Sequence, residues 1–254
     1  MSFTQIQEML SKAEVKYINS LQNKKYRRIE RAFFVEGYKN VQELLNSDYE
    51  TIKVFVTNEY FFQIEQLALK RGLEIQLVTS AELASVGTLE TNNSAMAIAR
   101  IKVEKADLFI ENELIIALDG INDPGNLGTI IRTADWYGIK NIVCSLDTVD
   151  LYNPKVINAT KGSYSRLNIC YRDLSQFFSA NSKIPILAAF MDGTSIYHLK
   201  CQLPMILLLG NEANGISDEL LPYLSQKITI PRIGNAESLN VGIAAGILMD
   251  RLLC

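Results

Sequence analysis

The chain of 254 residues is poor in groups on which much protein chemistry rests, with one histidine, one tryptophan, six prolines and four cysteines. Cys144, Cys170, Cys201 and Cys254 are scattered without any CxxC spacing, which argues against a zinc site and against a disulfide framework. They are expected to be reduced and mostly core, and no metal is expected. The lone His198 lies in SIYHLK, away from the glycine-studded segments, and reads as a surface or structurally satisfied residue. A general base of the usual kind is therefore missing. No uninterrupted apolar run approaches the roughly 20 residues that a membrane helix needs, and no charged-then-apolar leader is present. A soluble, cytoplasmic protein without a membrane partner is expected.

What is present suffices for a full core, since 48% of the residues are hydrophobic, and the length is that of one or two domains. The net charge of −3 argues mildly against a surface that binds nucleic acid everywhere. Its distribution is uneven, however. Lys12, Lys16, Lys24, Lys25, Arg27, Arg28, Arg31 and Lys39 face only Glu14, Glu30 and Glu36 in the same stretch, a basic patch within an acidic protein. A solvated helical face is the plain explanation of such a run. Tyr17, Tyr26, Phe33 and Phe34 interleave with the charges and could stack on bases, although Phe33 and Phe34 fit better as the start of a core strand.

Along the chain, an opening helical stretch is followed by strand-like runs at 33–35, 52–57, 75–78 and 95–99, alternating with helical patterns at 38–46, 59–70 and 81–85. This predicts a small α/β domain. The segment IKVEKADLFIEN (101–112) is charged, weakly periodic and free of Pro and Gly, and the domain boundary is placed within it, between 105 and 106. Short apolar strands then alternate with helices: strands at 114–118, 141–143, 166–171, 184–189, 205–209 and 227–230, and helices at 128–137, 155–160, 174–179 and 238–253. This alternation predicts a mainly parallel sheet with helices on both faces over 106–254.

Three segments of that second half share one grammar: NDPGNLGTIIRTA (122–134), LLGNEANGIS (208–217) and IPRIGNAESLNVGIAAGIL (230–248). In each, an apolar strand gives way to Gly, Asn and Pro and then to a helical period. Three such loops imply one site at the carboxyl ends of parallel strands. Gly120, Gly125 and Gly128 are spaced GxxxxGxxG, which is not the dinucleotide fingerprint, so a nucleotide-dependent oxidoreductase on a Rossmann sheet is demoted.

Read singly, the polar residues of these loops have plain explanations. Asn126 sits near the N-cap of a helix starting close to Leu127, and Ser238 suits the cap of the last helix. Glu212 reads as an acid on the N-terminal side of a helix beginning near Ser217, and Gly210 and Leu239 as a turn glycine and a core leucine. Arg132 interrupts the apolar run 128–134 and so calls for an anionic or hydrogen-bonding partner.

Taken together and in this order, the three segments resemble the motifs of the SpoU/TrmH family of RNA 2′-O-methyltransferases, of the SPOUT class. The stretch SLQNKKYRRIERAFFVEGYKNVQELL resembles the substrate-binding extension of rRNA-directed members. The resemblance implies a deep trefoil knot in the C-terminal domain, a ribosomal-protein-like fold for the RNA-binding domain 1–105, and S-adenosylmethionine as cofactor. It implies that main-chain groups of Gly210, Ile230 and Leu239 grip the cofactor, and that Asn126, Arg132, Glu212, Ser238 and Asn240 form the catalytic constellation. Ala213 departs from the glycine common in the family. The resemblance also implies a homodimer, RNA contact by Lys24, Lys25, Arg27 and Arg28, and phosphate contact by Lys155 and Lys161. Ribosomal RNA is the expected substrate. A tRNA substrate and a catalytically silent RNA-binding factor are the alternatives.

Overall fold

Residues 9–103, 112–199 and 202–254 are described by a computed structural model, in which the chain divides into two units. The expected boundary at 105/106 lies outside the described residues, as does Cys201. The first unit comprises residues up to Val103 together with Tyr152–Ser165, a segment that the linear reading assigns to the second domain.

In the first unit, Ser11 and Glu14 form a reciprocal capping box that starts α1 (Lys12–Leu21), and Asn23 caps α2 (Lys24–Glu30). Arg31, at φ 48°, turns the chain into β1 (Ala32–Glu36). The helix α3 (Tyr38–Asn46) and the strand β2 (Thr51–Val56) follow, then α4 (Phe61–Lys70), β3 (Ile75–Leu77), α5 (Ser80–Val86) and β4 (Ala95–Arg100). The sheet order is β1-β4-β2-β3, with β4 antiparallel to both neighbours and β2 parallel to β3.

The period of two in β1 divides its side chains between faces. Ala32 and Phe34 join Ile18, Leu21, Phe55 and Met96 in one core. Phe33 instead meets the rings of Tyr49, Tyr152 and Tyr164, with centroids 5.5, 4.7 and 5.9 Å away. Burial pushes the Tyr49 and Tyr164 hydroxyls well above the usual phenol range, as suits packing residues. Tyr152 and Tyr164 flank α7 (Pro154–Thr160), whose Asn158 receives a hydrogen bond from Asn40 Nδ2 at 3.3 Å. These contacts explain why 152–165 belongs with the first unit.

In the second unit, six parallel strands run in the order β10-β8-β9-β5-β6-β7, from β5 (Leu114–Leu118), β6 (Asn141–Cys144), β7 (Asn168–Tyr171), β8 (Ile186–Ser195), β9 (Met205–Leu209) and β10 (Gln226–Thr229). The central runs LIIAL and MILLL are buried at every position, as expected where helices cover both faces. Ile115, Ala117, Ile206 and Leu208 share one core with Leu174 and Phe178 of α8 (Leu174–Ala180). Of the cysteines, Cys144 and Cys170 are buried and Cys254 is exposed, and all three are thiols outside any disulfide.

Several boundaries differ from expectation. The helix α6 starts at Pro124 and ends at Trp136, because Asp123 caps it and Pro124 supplies a pre-set φ at its first position. β8 extends beyond 189: its pairing with β10 jumps from Ala188 to Thr194, so 189–193 bulge out of register. Gly193 (φ 150°) permits the return, since a Cβ there would stand 2.7 Å from Lys227 O. The final helix α9 is Val241–Leu253, so the expected N-cap Ser238 is replaced by Asn240, which accepts from Gly242 N at 2.9 Å and Ile243 N at 3.2 Å.

Arg27 is also corrected as an RNA contact. It is 2% exposed and donates to Leu21 O at 2.9 Å and Gln22 O at 2.8 Å, satisfying carbonyls at the open C-terminal end of α1. Arg27→Ala should therefore destabilise the protein by about 1–3 kcal/mol in urea unfolding. Lys24→Ala and Arg28→Ala, on the exposed side of the same helix, should each leave stability within about 0.5 kcal/mol.

Candidate active site

The loops after β5, after β9 and before α9 each contribute a polar side chain to one hydrogen-bonded chain. Asn126, in the first turn of α6, donates through Nδ2 to Glu212 Oε1 at 2.6 Å. Asn240 Nδ2 donates to Asn126 Oδ1 at 2.8 Å, while its own Oδ1 caps α9. The amide orientations are set by the two ends. The helix terminus offers only donors, so Asn240 must turn its oxygen there and its nitrogen to Asn126. Asn126 must then present nitrogen to the acceptor-only carboxylate of Glu212.

Asn126 thus has a second role besides its main chain, whose N–H is satisfied by Asp123 Oδ1 at 2.8 Å. Glu212 is exposed and bonds to Asn126, not to Arg132. Arg132 lies on the solvent side of α6; the buried stripe is Leu127, Gly128, Ile130, Ile131 and Ala134. The expectation that Arg132 interrupts a buried run is thereby corrected. Its guanidinium has no partner among the described residues. Ser238 is exposed and makes no hydrogen bond among them. His198 is exposed in a short 3-10 turn.

Two residues that sequence reasoning passed over hold the loops together. Asn211 donates to Gly120 O at 2.5 Å and accepts from Ala213 N at 2.8 Å. Asp119, almost fully buried, accepts from Ser217 N at 2.7 Å. The NxxN spacing of GNEANG, with an Asx residue opening a glycine-containing turn, was the available sign for Asn211. Gly210 is a position without room for a side chain, since a Cβ would lie 2.4 Å from the Gly215 carbonyl carbon. Its need for glycine is thus a close main-chain approach, with no positive φ.

The third motif loop is open. Residues 231–240 are all exposed, Leu239 at 48%, which corrects its plain reading as core. Among the described residues, the main chain of 231–239 makes no hydrogen bond to other main-chain groups. Apart from Ala236 O, which accepts from Arg232 Nη1 at 3.3 Å, donors and acceptors there are open to a ligand or water. This suits a group read by main-chain amides and carbonyls, as an adenine ring can be. Among the described residues no cluster of His, Cys, Asp and Glu could hold a metal ion, and no helix is long and apolar enough to cross a membrane.

The helices carrying Asn126 and Asn240 are brought together by small residues. A Cβ on Gly242 would stand 3.2 Å from Thr129 Cγ2, and one on Gly246 3.8 Å from Thr133 Cγ2. Tyr137 OH donates to Asp250 at 2.9 Å at the other end of the pair. Lys155 and Lys161 fall in the first unit, Lys155 exposed on α7 and Lys161 at its left-handed end.

A polar site at the carboxyl edge of a parallel sheet, joined in one chain to a second α/β unit with an exposed basic helix, defines a two-unit α/β protein with a ligand-binding sheet edge. The chain belongs to the SpoU rRNA Methylase family, which it matches over residues 113–250, and residues 12–97 match the MRM3-like substrate binding domain. It is 28% identical over 248 residues to the 23S rRNA (guanosine(2553)-2′-O)-methyltransferase RlmP of Bacillus subtilis, covering 96% of this chain and 98% of that one. Among solved structures, it is similar to a putative RNA methyltransferase of the TrmH family from Porphyromonas gingivalis (34% identity, TM-score 0.82, 96% and 98% covered). It is likewise similar to an AdoMet-bound rRNA methyltransferase from Sinorhizobium meliloti (28% identity, TM-score 0.86, 96% and 97% covered).

The donor order along Asn240, Asn126 and Glu212 makes a testable distinction. Asn240→Asp retains the cap acceptor but loses the donor to Asn126, so thermal stability should hold while activity falls. Asn240→Ala should lose the cap as well, at about 1 kcal/mol. Equal stability of the two variants in denaturant titration would contradict the assigned cap.

Proposed function

We propose that the chain is an S-adenosylmethionine-dependent methyltransferase that modifies a ribose 2′-hydroxyl of RNA, with ribosomal RNA as its substrate in the cytoplasm. The observation that carries this reading is the joining of all three motif loops through Glu212, Asn126 and Asn240, with Arg132 left unpartnered on the same helix as Asn126. The full-length likeness to enzymes named for rRNA 2′-O-methylation supports the substrate class, as does the match of 12–97 to a substrate-binding domain. A silent RNA-binding factor would not require the Glu212–Asn126–Asn240 chain to stay intact.

Gly210, Ile230 and Leu239 would hold the cofactor through main-chain groups; Gly210 has no side chain, and Leu239 lies in the exposed loop whose main chain makes no main-chain hydrogen bond among the described residues. When bound, S-adenosylmethionine supplies a methyl group already activated on a sulfonium. The residues then have two tasks, alignment of the 2′-oxygen and accommodation of its charge. Arg132 serves the second, offering its planar guanidinium fork to a phosphate beside the target ribose. The proton of the hydroxyl leaves to that phosphate or to water. Asn126 and Asn240 orient the loops, and Ser238 is free to meet the substrate directly.

The N-terminal unit binds RNA through Lys24, Lys25 and Arg28, which are exposed on α2 beside the half-exposed Tyr26, with Lys155 as a further phosphate contact. The C-terminal unit is knotted and forms a homodimer. Apolar side chains that a solitary unit would leave in water support the dimer: Trp136 of α6 is 86% exposed and Ile243 of α9 54% exposed. The Gly242 and Gly246 face of α9 is already occupied by α6, so the outward Ile243 side is the one available to a second copy.

Calorimetry should detect S-adenosylmethionine binding without RNA or metal, and transfer of labelled methyl to ribosomal RNA should map to a ribose. Arg132→Ala should lower turnover at least about 100-fold with an unchanged unfolding temperature, and Arg132→Lys should recover little, because an ammonium cannot reproduce the guanidinium fork. Near-normal turnover of the lysine variant would remove that geometric role. Sedimentation equilibrium should give twice the 28.5 kDa chain mass, and an active monomer would remove the dimer from the reading.

A further inference from the structure

We propose that Asn211 is a positioning residue of this site, acting through Glu212 by fixing the loop after β9 to the residues that follow β5. The inference rests on the place given to Glu212 in the proposed function.

The side chain of Asn211 uses both ends of its amide. Oδ1 accepts from Ala213 N at 2.8 Å and Asn214 N at 3.1 Å, which folds GNEANG into a tight turn. Nδ2 donates out of that turn to Gly120 O at 2.5 Å. The main chain closes the turn with reciprocal 2.9 Å bonds between Asn211 and Gly215. At the far end of the loop, Asp119 Oδ2 holds Ser217 N at 2.7 Å. The loop is therefore pinned at both ends to Asp119 and Gly120, which lead directly to α6 and Asn126.

The need for such a tie follows from the position of Glu212. Its residue and the next three are exposed, so no apolar packing restrains the tip of the loop. A carboxylate on such a loop samples many positions unless a bond at its base removes that freedom. Asn211 is the residue immediately before Glu212, and its bond to Gly120 O sets the distance between the two loops that Glu212 and Asn126 then bridge at 2.6 Å. Gly120, at φ 64°, aims its carbonyl in a conformation that favours glycine, and its N–H is held by Ser145 Oγ at 2.8 Å, so the acceptor is itself fixed.

The test is a double-mutant cycle in the full chain. Asn211→Asp keeps the acceptor for the Ala213 and Asn214 amides but sets a carboxylate against the Gly120 carbonyl. Turnover at saturating S-adenosylmethionine and ribosomal RNA is expected to fall about tenfold or more, with the unfolding temperature little changed. In a Glu212→Ala background, the same substitution should cause less than about a twofold further loss, because the residue it positions is gone. Asn211→Ser, which keeps a turn acceptor but is too short to reach Gly120 O, serves in the same cycle if the aspartate variant unfolds early. Losses that multiply in the two backgrounds would give Asn211 a purely structural role and overturn the proposal. Full turnover of Glu212→Ala would overturn it too, by removing Glu212 from the reaction, and so marks failure of the underlying reading separately.

Discussion

The arrangement of the site depends on one amide side chain used in both directions. Asn126 donates to Glu212 and accepts from Asn240, and no other uncharged side chain of its size can do both along one line. A hydroxyl is shorter, and a carboxylate would face Glu212 with like charge. Each bond contributes only about 1 kcal/mol net, so the chain of amides adds little to global stability. Its effect is local. It holds three loops in register that have few apolar contacts of their own, and it joins them to the N-terminus of α9, where the direction of every donor is set.

That arrangement sets two helices in close contact at one glycine. Asn126 is on α6 and Asn240 caps α9, and they meet where Gly242, whose Cβ would stand a tight 3.2 Å from Thr129 Cγ2, lets α9 settle on α6; at Gly246 a Cβ would make ordinary contact with Thr133 at 3.8 Å. The packing of the helices and the polar chain at their N-termini are thus one feature. An alanine at Gly242 would press on Thr129 one turn from Asn126, so a methyl group in the helix interface would be felt in the loops. The same contact leaves Ile243 and Trp136 facing outward, with hydrophobic surface to cover.

Much of this architecture was legible in the sequence because its strands are short, apolar and well separated. The runs at 114–118 and 205–209 coincide with β5 and β9, and the helix at 38–46 with α3. The errors share a cause, which is that they lie where tertiary structure chooses among local options. Asn126 reads by type as the cap of α6, yet Asp123 takes that place, with Pro124 following it at the first helical position. Ser238 reads as the cap of α9, yet Asn240 takes that place, where its amide also meets Asn126. The bulge at 189–193 depends on the approach of Lys227 to Gly193, a pairing that local sequence does not contain. The grouping of Tyr152–Ser165 with the first unit depends on rings more than one hundred residues upstream, Phe33 and Tyr49, and no periodicity reveals it.

The two arginines on which the functional reading turns show how little residue type decides alone. Arg27 stands in the densest basic run of the chain, yet two main-chain carbonyls at the end of α1 lie within reach of its guanidinium and draw it inside. Its charge serves the fold, and the exposed charge of α2 rests on Lys24, Lys25 and Arg28. Arg132 stands in an apolar helix, where the sequence called for an anionic or hydrogen-bonding partner, yet the helical period turns it outward and no acceptor within the described residues meets it. Five N–H donors in a planar fork suit two oxygens of a phosphate. The partner of Arg27 is supplied by the chain itself, whereas Arg132 meets no acceptor among the described residues, and on the proposed reading its partner arrives with the substrate.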